Sequence, residues 1–224
     1  MVKLSKEQVA CFVCGAEGEH EIASEAQQTE PPDLDTRPGE ALRSTLKWWV
    51  QRCPSCGYCA PSIAEGAPAA TRVVATAAYK ALLDDPDRPE LANRFLASAA
   101  SLERAGLLAD AAWQVVYAAW ACDDEAREEA AAACREHAIE MVRRVRAAGS
   151  VVTEQPGEDL VVEADLLRRA GRFDEASALC EEAIAGGRAA GQEALLVYEQ
   201  TLALRRDQGR RTIAEAESWR ASRH

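Results

Sequence analysis

Four cysteines in two short pairs carry the clearest chemistry of the chain: Cys11-Phe-Val-Cys14-Gly15 and Cys53-Pro-Ser-Cys56-Gly57. Each pair puts two thiols on one tight turn, and two pairs supply the four soft ligands of a closed tetrahedral zinc site. The glycine after each second cysteine suits such a turn, because glycine reaches positive φ without steric cost. A repeated CxxCG is far more specific than a single CxxC. Zinc, one ion held structurally by Cys11, Cys14, Cys53 and Cys56, is therefore the first expectation. Three rival chemistries use the same residues. A disulfide framework suits an oxidising compartment, whereas the start Met1-Val-Lys-Leu-Ser-Lys-Glu lacks the apolar stretch of a secretory leader. A thioredoxin-like redox pair would follow a strand and open a helix, where Pro54 and Gly57 indicate a turn. A rubredoxin-like iron site uses paired knuckles of this kind and remains the less favoured metal.

The other thiols read more simply. Cys59 lies three residues beyond Cys56 and is surplus to a four-coordinate site, so a spare, partly buried thiol is expected. Cys122, Cys134 and Cys180 stand singly in alanine-rich helical patterns, where free cysteine behaves as a small buried hydrophobe.

The elements that must hold the knuckles follow from composition. The chain has 224 residues, a net charge of −11 and only four lysines among its basic residues. No apolar run approaches the ~18 residues of a membrane span, and a reducing cytoplasm is the expected location. Residues 1–62 hold both knuckles and form one expected domain, a zinc-ribbon module. Residues 63–224 form the other, which is helical. Between the knuckles, Glu17 to Glu40 is acidic and contains Pro31, Pro32 and Pro38, the composition of an extended insertion. Ser44 to Arg52 is the expected strand into the second knuckle. There Trp48 and Trp49 would face opposite sides, one covering the metal cluster. Arg52 is placed either to offset the −2 charge of a zinc tetrathiolate or as a solvated strand end. So small a ribbon has little core, and metal binding should supply much of its folding energy.

Beyond residue 63 the periodicity is helical. A first helix is expected over Ala64 to Leu83, stopped at Asp84-Asp-Pro86. A second has Asp87 as N-cap, Pro89 in its first turn and Gly106 past its end. A long helix follows at about Glu125 to Ala148. Phe95, Ala99, Leu102, Gly106, Leu108, Ala111 and Ala118 recur 65 residues later as Leu160, Ala164, Leu167, Gly171, Phe173, Ala176 and Ala183. Apolar residues one helical face apart, a glycine stop, and alanines seven apart describe a helix–turn–helix unit. A weaker third copy runs through Tyr198, Leu202, Gly209, Ala214 and Ala221, and Gly186-Gly187 reads as a turn.

Arg168-Arg-Ala-Gly171-Arg-Phe173-Asp-Glu-Ala176, with Ala183 a heptad on, resembles the turn of a tetratricopeptide (TPR) repeat. The Gly106-Leu-Leu-Ala-Asp-Ala111 copy resembles it less closely, and the regular repeat spacing is missing. The expected fold class is thus mainly α, a small zinc-ribbon module followed by a TPR-like solenoid or bundle. An N-terminal CxxCG, a spacer, the Trp49-to-Tyr58 knuckle and TPR-like helices together resemble an uncharacterised bacterial family, domain of unknown function 2225. Phe12 stands where that family usually has proline, and this spacer is unusually acidic. Membership would imply a zinc ribbon joined to a TPR-like region, with no assigned activity.

Enzyme signatures are missing. His20, His137 and His224 lie in no catalytic or metal spacing, and no GxSxG, GxxxxGK[ST] or strand-linked GxGxxG occurs. A four-thiolate zinc has no open position for water. The function expected is a non-catalytic adaptor that offers TPR-like helices to a protein or peptide partner, with Arg168 and Arg169 either near that surface or solvated at a helix end. The alternative is nucleic-acid binding through Arg43, Lys47 and Arg52 beside the tryptophans. Against it, residues 1–60 hold six Lys/Arg and nine Asp/Glu, the reverse of a basic footprint.

Overall fold

The computed structural model describes residues 2–24 and 26–223; His224 lies outside them. The fold is mainly helical, with a small strand-built module at the N-terminal end that carries the paired cysteines. Two antiparallel hairpins make up that module. Strand β1 (Lys3–Ala10) pairs with β2 (Glu17–Ser24), and the short β3 (Gln51–Arg52) pairs with β4 (Cys59–Ala60). Each hairpin turns through one knuckle.

The chain divides elsewhere than at residue 62. One compact unit comprises residues 1–27 and 40–134, and the other residues 28–39 and 135–224. The middle of the acidic insertion therefore belongs with the C-terminal helices.

In the first unit, the stretch expected as a strand before the second knuckle is a 3-10 helix, Arg43–Trp48, and only Gln51 and Arg52 are extended. Thr45 fixes this turn by donating to the Leu42 carbonyl and accepting from the Trp49 indole at 2.8 Å. Trp49 packs edge-on against Tyr117 and Trp120 of the helix Leu108–Asp124 (α4), while Trp48 donates to Glu21 of β2. Trp49 thus turns to α4 and Trp48 to β2.

The helix expected over Ala64 to Leu83 is two helices, α1 (Pro68–Val74) and α2 (Ala77–Leu83). Pro68 suits the first position of α1, where its missing N–H costs nothing. Thr76 breaks the run by capping α2, its hydroxyl accepting from the Tyr79 N–H. Helix α3 (Glu90–Arg104) starts after Pro89 rather than at Asp87 and runs antiparallel to α4 (Leu108–Asp124). Between them Phe95, Ala99, Ala111 and Ala118 are buried, as the repeat pattern requires. The long helix is α5 (Glu128–Ala147).

The second unit contains α6 (Glu158–Arg169), α7 (Phe173–Ala185), α8 (Glu193–Leu204) and α9 (Ile213–Ala221). Leu160, Ala164, Leu167, Ala176 and Ala183 are buried here, so the two strong copies of the repeat pattern are two helical hairpins. The third copy is shifted from its expected register. Helix α8 ends at Leu204, with Arg206 in the left-handed position instead of Gly209. Residues 32–34 brace α9 from the side: Ile213 N–H donates to Pro32 O and Leu34 N–H to Arg211 O, both at 2.9 Å. Leu34 then packs with Tyr198, Leu202 and Ala216. A stretch rich in acid and proline is thus an ordered strap.

Candidate metal centre

The two knuckles are built alike, hydrogen bond for hydrogen bond. Cys11 N–H donates to Ala16 O at 2.9 Å, and Gly15 N–H returns to Cys11 O at 2.8 Å. In the second, Cys53 N–H donates to Tyr58 O at 2.8 Å, and Gly57 N–H returns to Cys53 O at 2.9 Å. Closing so tight a turn takes φ of +70° at Gly15 and +78° at Gly57, values a side chain would oppose.

All four predicted ligands are brought together. The Sγ atoms of Cys11, Cys14, Cys53 and Cys56 lie within 4.8 Å of one another, and could hold a metal ion. Contacts across the pairs are 3.7 Å for Cys11–Cys56 and 3.6 Å for Cys14–Cys53. Tetrahedral ligation at roughly 2.3 Å gives sulfur–sulfur edges of about 3.8 Å, whereas a disulfide needs about 2.05 Å. The donor set and its spacing fit a tetrathiolate metal and not a pair of disulfides.

Electrostatics around the cluster are uneven. Burial raises the Cys53 thiol, but N–H groups of Cys56 and Ser55 and the neighbouring thiols outweigh it and bring its pKa down to about 7. Burial dominates at Cys11 and Cys56, which are both raised. Four thiols this close cannot all ionise without a cation between them, and a divalent metal supplies that charge.

Two tyrosines brace the second knuckle through hydrogen bonds. Tyr79 of α2 accepts from the Cys59 N–H at 2.9 Å and donates to Gly57 O at 3.2 Å. Tyr58 donates to Glu65 O at 2.8 Å. A leading signal for this was Thr76, whose cap starts α2 where Tyr79 can reach the knuckle. Cys59 is fully buried, its thiol on Gly57 O, and it stays outside the ligand set. Cys122 and Cys180 are buried in the helices; the Cys134 thiol, followed by burial, raises Cys122.

Four other predicted residues need correction or qualification. Arg52 pairs with Glu90 at 3.3 Å, and Lys47 lies over the Trp48 ring. With Glu19, Glu21 and Glu90 beside them, these cations do not form a basic face. Arg168 is neither at a groove nor solvated. It is fully buried, with Nε on Glu199 at 2.7 Å, Nη2 on Asp165 at 2.5 Å, and Nη1 on the carbonyls of Asp207 and Gly209. Arg169 pairs with the buried Asp35.

No protein-family model, curated protein or solved structure matches the chain. Among the described residues, no helix is long and apolar enough to cross a membrane.

Proposed function

We propose that this chain is a non-catalytic adaptor of the cytoplasm. A zinc ion at Cys11, Cys14, Cys53 and Cys56 staples its N-terminal hairpins, and its TPR-like helical hairpins engage a protein or peptide. The observation that carries the metal half is the pair of 3.6 and 3.7 Å sulfur contacts between two matching knuckles. Four thiolates complete the coordination of zinc and leave it no position for a substrate, so the metal's part is structural. The antiparallel pairs α3–α4 and α6–α7, joined by short turns and packed through alanines, support the TPR-like half. The same combination of knuckles and hairpins supports membership of the family of domain of unknown function 2225.

Metal content tests the reading. Elemental mass spectrometry on protein purified without added metal should find one zinc per chain, lost in both Cys11→Ser and Cys53→Ser. Iron, with a red colour and reversible one-electron chemistry, would replace the adaptor by an electron carrier. No metal, with both hairpins intact, would end the proposal. For the partner, peptide capture should persist in Cys53→Ser if the helices make the contact. A salt-sensitive shift with nucleic-acid probes would favour the alternative.

A further inference from the structure

A cavity of about 480 Å³ opens within the first unit, away from the four ligands. Its walls come from four places. Tyr58 to Ser62 follow the second knuckle; the loop through Glu65 and Gly66 leads into α1; Ser98, Ser101 and Leu102 come from α3, and Asp110, Trp113, Gln114 and Tyr117 from α4. That volume lies inside the range of roughly 300–1,000 Å³ typical of small-molecule sites.

The lining is chemically one-sided. Trp113 and Tyr117 stack at 5.9 Å with 28° between their planes and form an aromatic wall, held from behind by Phe95 and Trp49 edge-on to Tyr117. Two carboxylates, Glu65 and Asp110, line the cavity and are exposed, while no Lys, Arg or His is among the lining residues. Deeper in, Ser98 and Gln114 are each more than nine-tenths buried, and Ser98 Oγ and Gln114 Oε1 have no hydrogen-bond partner. Buried polar atoms are nearly always satisfied, so two in one cavity wall point to a ligand that supplies the partner.

We propose that this cavity binds an organic cation, a primary ammonium carried on an apolar stem. The stem lies along Leu102, Trp113 and Tyr117, where burial of apolar surface and the aromatic faces favour it. The ammonium donates to Ser98 Oγ and Gln114 Oε1, and the Asp110 and Glu65 carboxylates of the same lining balance its charge, with no Lys, Arg or His there to compete. An anionic ligand of the same shape is repelled, and a neutral one forfeits the charge. Free amines and the lysine side chain of a peptide share this chemistry. The inference is independent of which metal the cysteines hold and of the adaptor reading.

Intrinsic tryptophan fluorescence of the full chain contains the signal of Trp113 among five tryptophans, and the ligand-dependent part should vanish in Trp113→Phe. Titration with n-butyl- to n-octylammonium at neutral pH and constant ionic strength should give saturable binding, with the alcohol and carboxylate of equal length weaker by about tenfold or more. Asp110→Asn should weaken the amine several-fold and leave the alcohol unchanged. Glu140→Gln, which alters net charge equally but lies on α5, should change neither. Ser98→Ala should weaken amine and alcohol alike, since it removes a polar group rather than a charge. Nα-acetyl-lysine methylamide binding as well as n-hexylammonium would identify a peptide as the source, and weaker binding a free amine. Equal affinity for amine and alcohol, an equal loss in Glu140→Gln, or no saturation across the alkylammonium series would overturn the proposal.

Discussion

The β1–β2 hairpin and helix α6 solve the problem of staying folded in opposite ways. No residue of β1 or β2 is buried, so the hairpin gains almost nothing from apolar burial. An isolated two-stranded hairpin is marginal in water. Its tip instead carries Cys11 and Cys14, which meet Cys53 and Cys56 of the other knuckle. Helix α6 buries Leu160, Val161, Val162, Ala164, Leu166 and Leu167. Having that apolar surface, it can also enclose Glu163, Asp165 and Arg168. On the proposed reading one region depends on a charge brought in from outside, whereas the other compensates its charges internally.

The largest effect should come from taking the metal away. Structural zinc sites contribute on the order of 10–16 kcal/mol in small metal-folded modules. A thiol-competing chelator, or Cys53→Ser, should strip amide-exchange protection from β1, β2, β3 and β4. Protection in α6 to α8 should stay within error. Loss in α6 as well would show that the two regions do not differ in this way.

Next comes the internal charge. Removing one member of a buried ion group costs about 3–5 kcal/mol, because its partners are left uncompensated. Arg168→Met should lower stability by that much in urea denaturation. Adding Asp165→Asn and Glu199→Gln should restore a large part of it. If the triple variant is no better than the single one, the carbonyls of Asp207 and Gly209, which also accept from Arg168, matter more than the carboxyls.

The same group makes stability depend on pH. Asp165 Oδ2 and Glu199 Oε1 are enclosed without a hydrogen-bond donor, and a proton held between the two carboxyls would supply one. Burial and the Asp165 charge push Glu199 up to about 8, against the pull of Arg168; burial likewise raises Asp165, with Asp35 adding to it and Arg168, Arg169 and Arg135 opposing. Since Glu199 has a usual value of 4.5, the folded state holds a proton that the unfolded state has lost between that pH and about 8. The contribution is therefore complete below pH 4.5 and is lost as pH rises through 8, by at most about 1.4 kcal/mol per pH unit. Wild type should lose stability over this window relative to Glu199→Gln, as followed by thermal melts in a pH series. A difference between the two that is flat with pH would show that no proton is held there.

Legibility in the sequence followed the range of the interactions. The knuckles were readable because their geometry is set within five residues, and the α3–α4 and α6–α7 hairpins because spacing alone places alanines on a shared face. Residues 44–52 misled because β-branched and aromatic side chains suggested a strand. The decisive contacts are the Thr45 hydroxyl on Leu42 O and Trp49 against α4. Arg168 looked like a helix-end cation, since its partners Glu199, Asp207 and Gly209 lie more than thirty residues away in sequence. The strap at 32–34 was hidden for the same reason: its acid and proline content signals exposure, while its backbone pairs with residues 211–213.

The smallest effect tests how helices end in the two regions. Among the described residues, six helix termini share one pattern of hydrogen bonds, such as Gly106 N–H to Glu103 O with Leu107 N–H to Leu102 O, and Ala126 N–H to Asp123 O with Arg127 N–H to Cys122 O. This termination needs a left-handed residue. Four of the six positions are glycine, but Ala126 has φ of +52° and Arg206 of +54°. A side chain in that conformation costs about 1 kcal/mol relative to glycine. Gly106→Ala should therefore destabilise by about that amount, since a Cβ there meets nothing else. Ala126→Gly should stabilise by a similar amount. Arg206→Gly should gain less, because it also gives up the guanidinium lying 4.8 Å over the Phe173 ring. Equal gains at 126 and 206 would mean that the Arg206 stacking contributes nothing to the C-terminal helices.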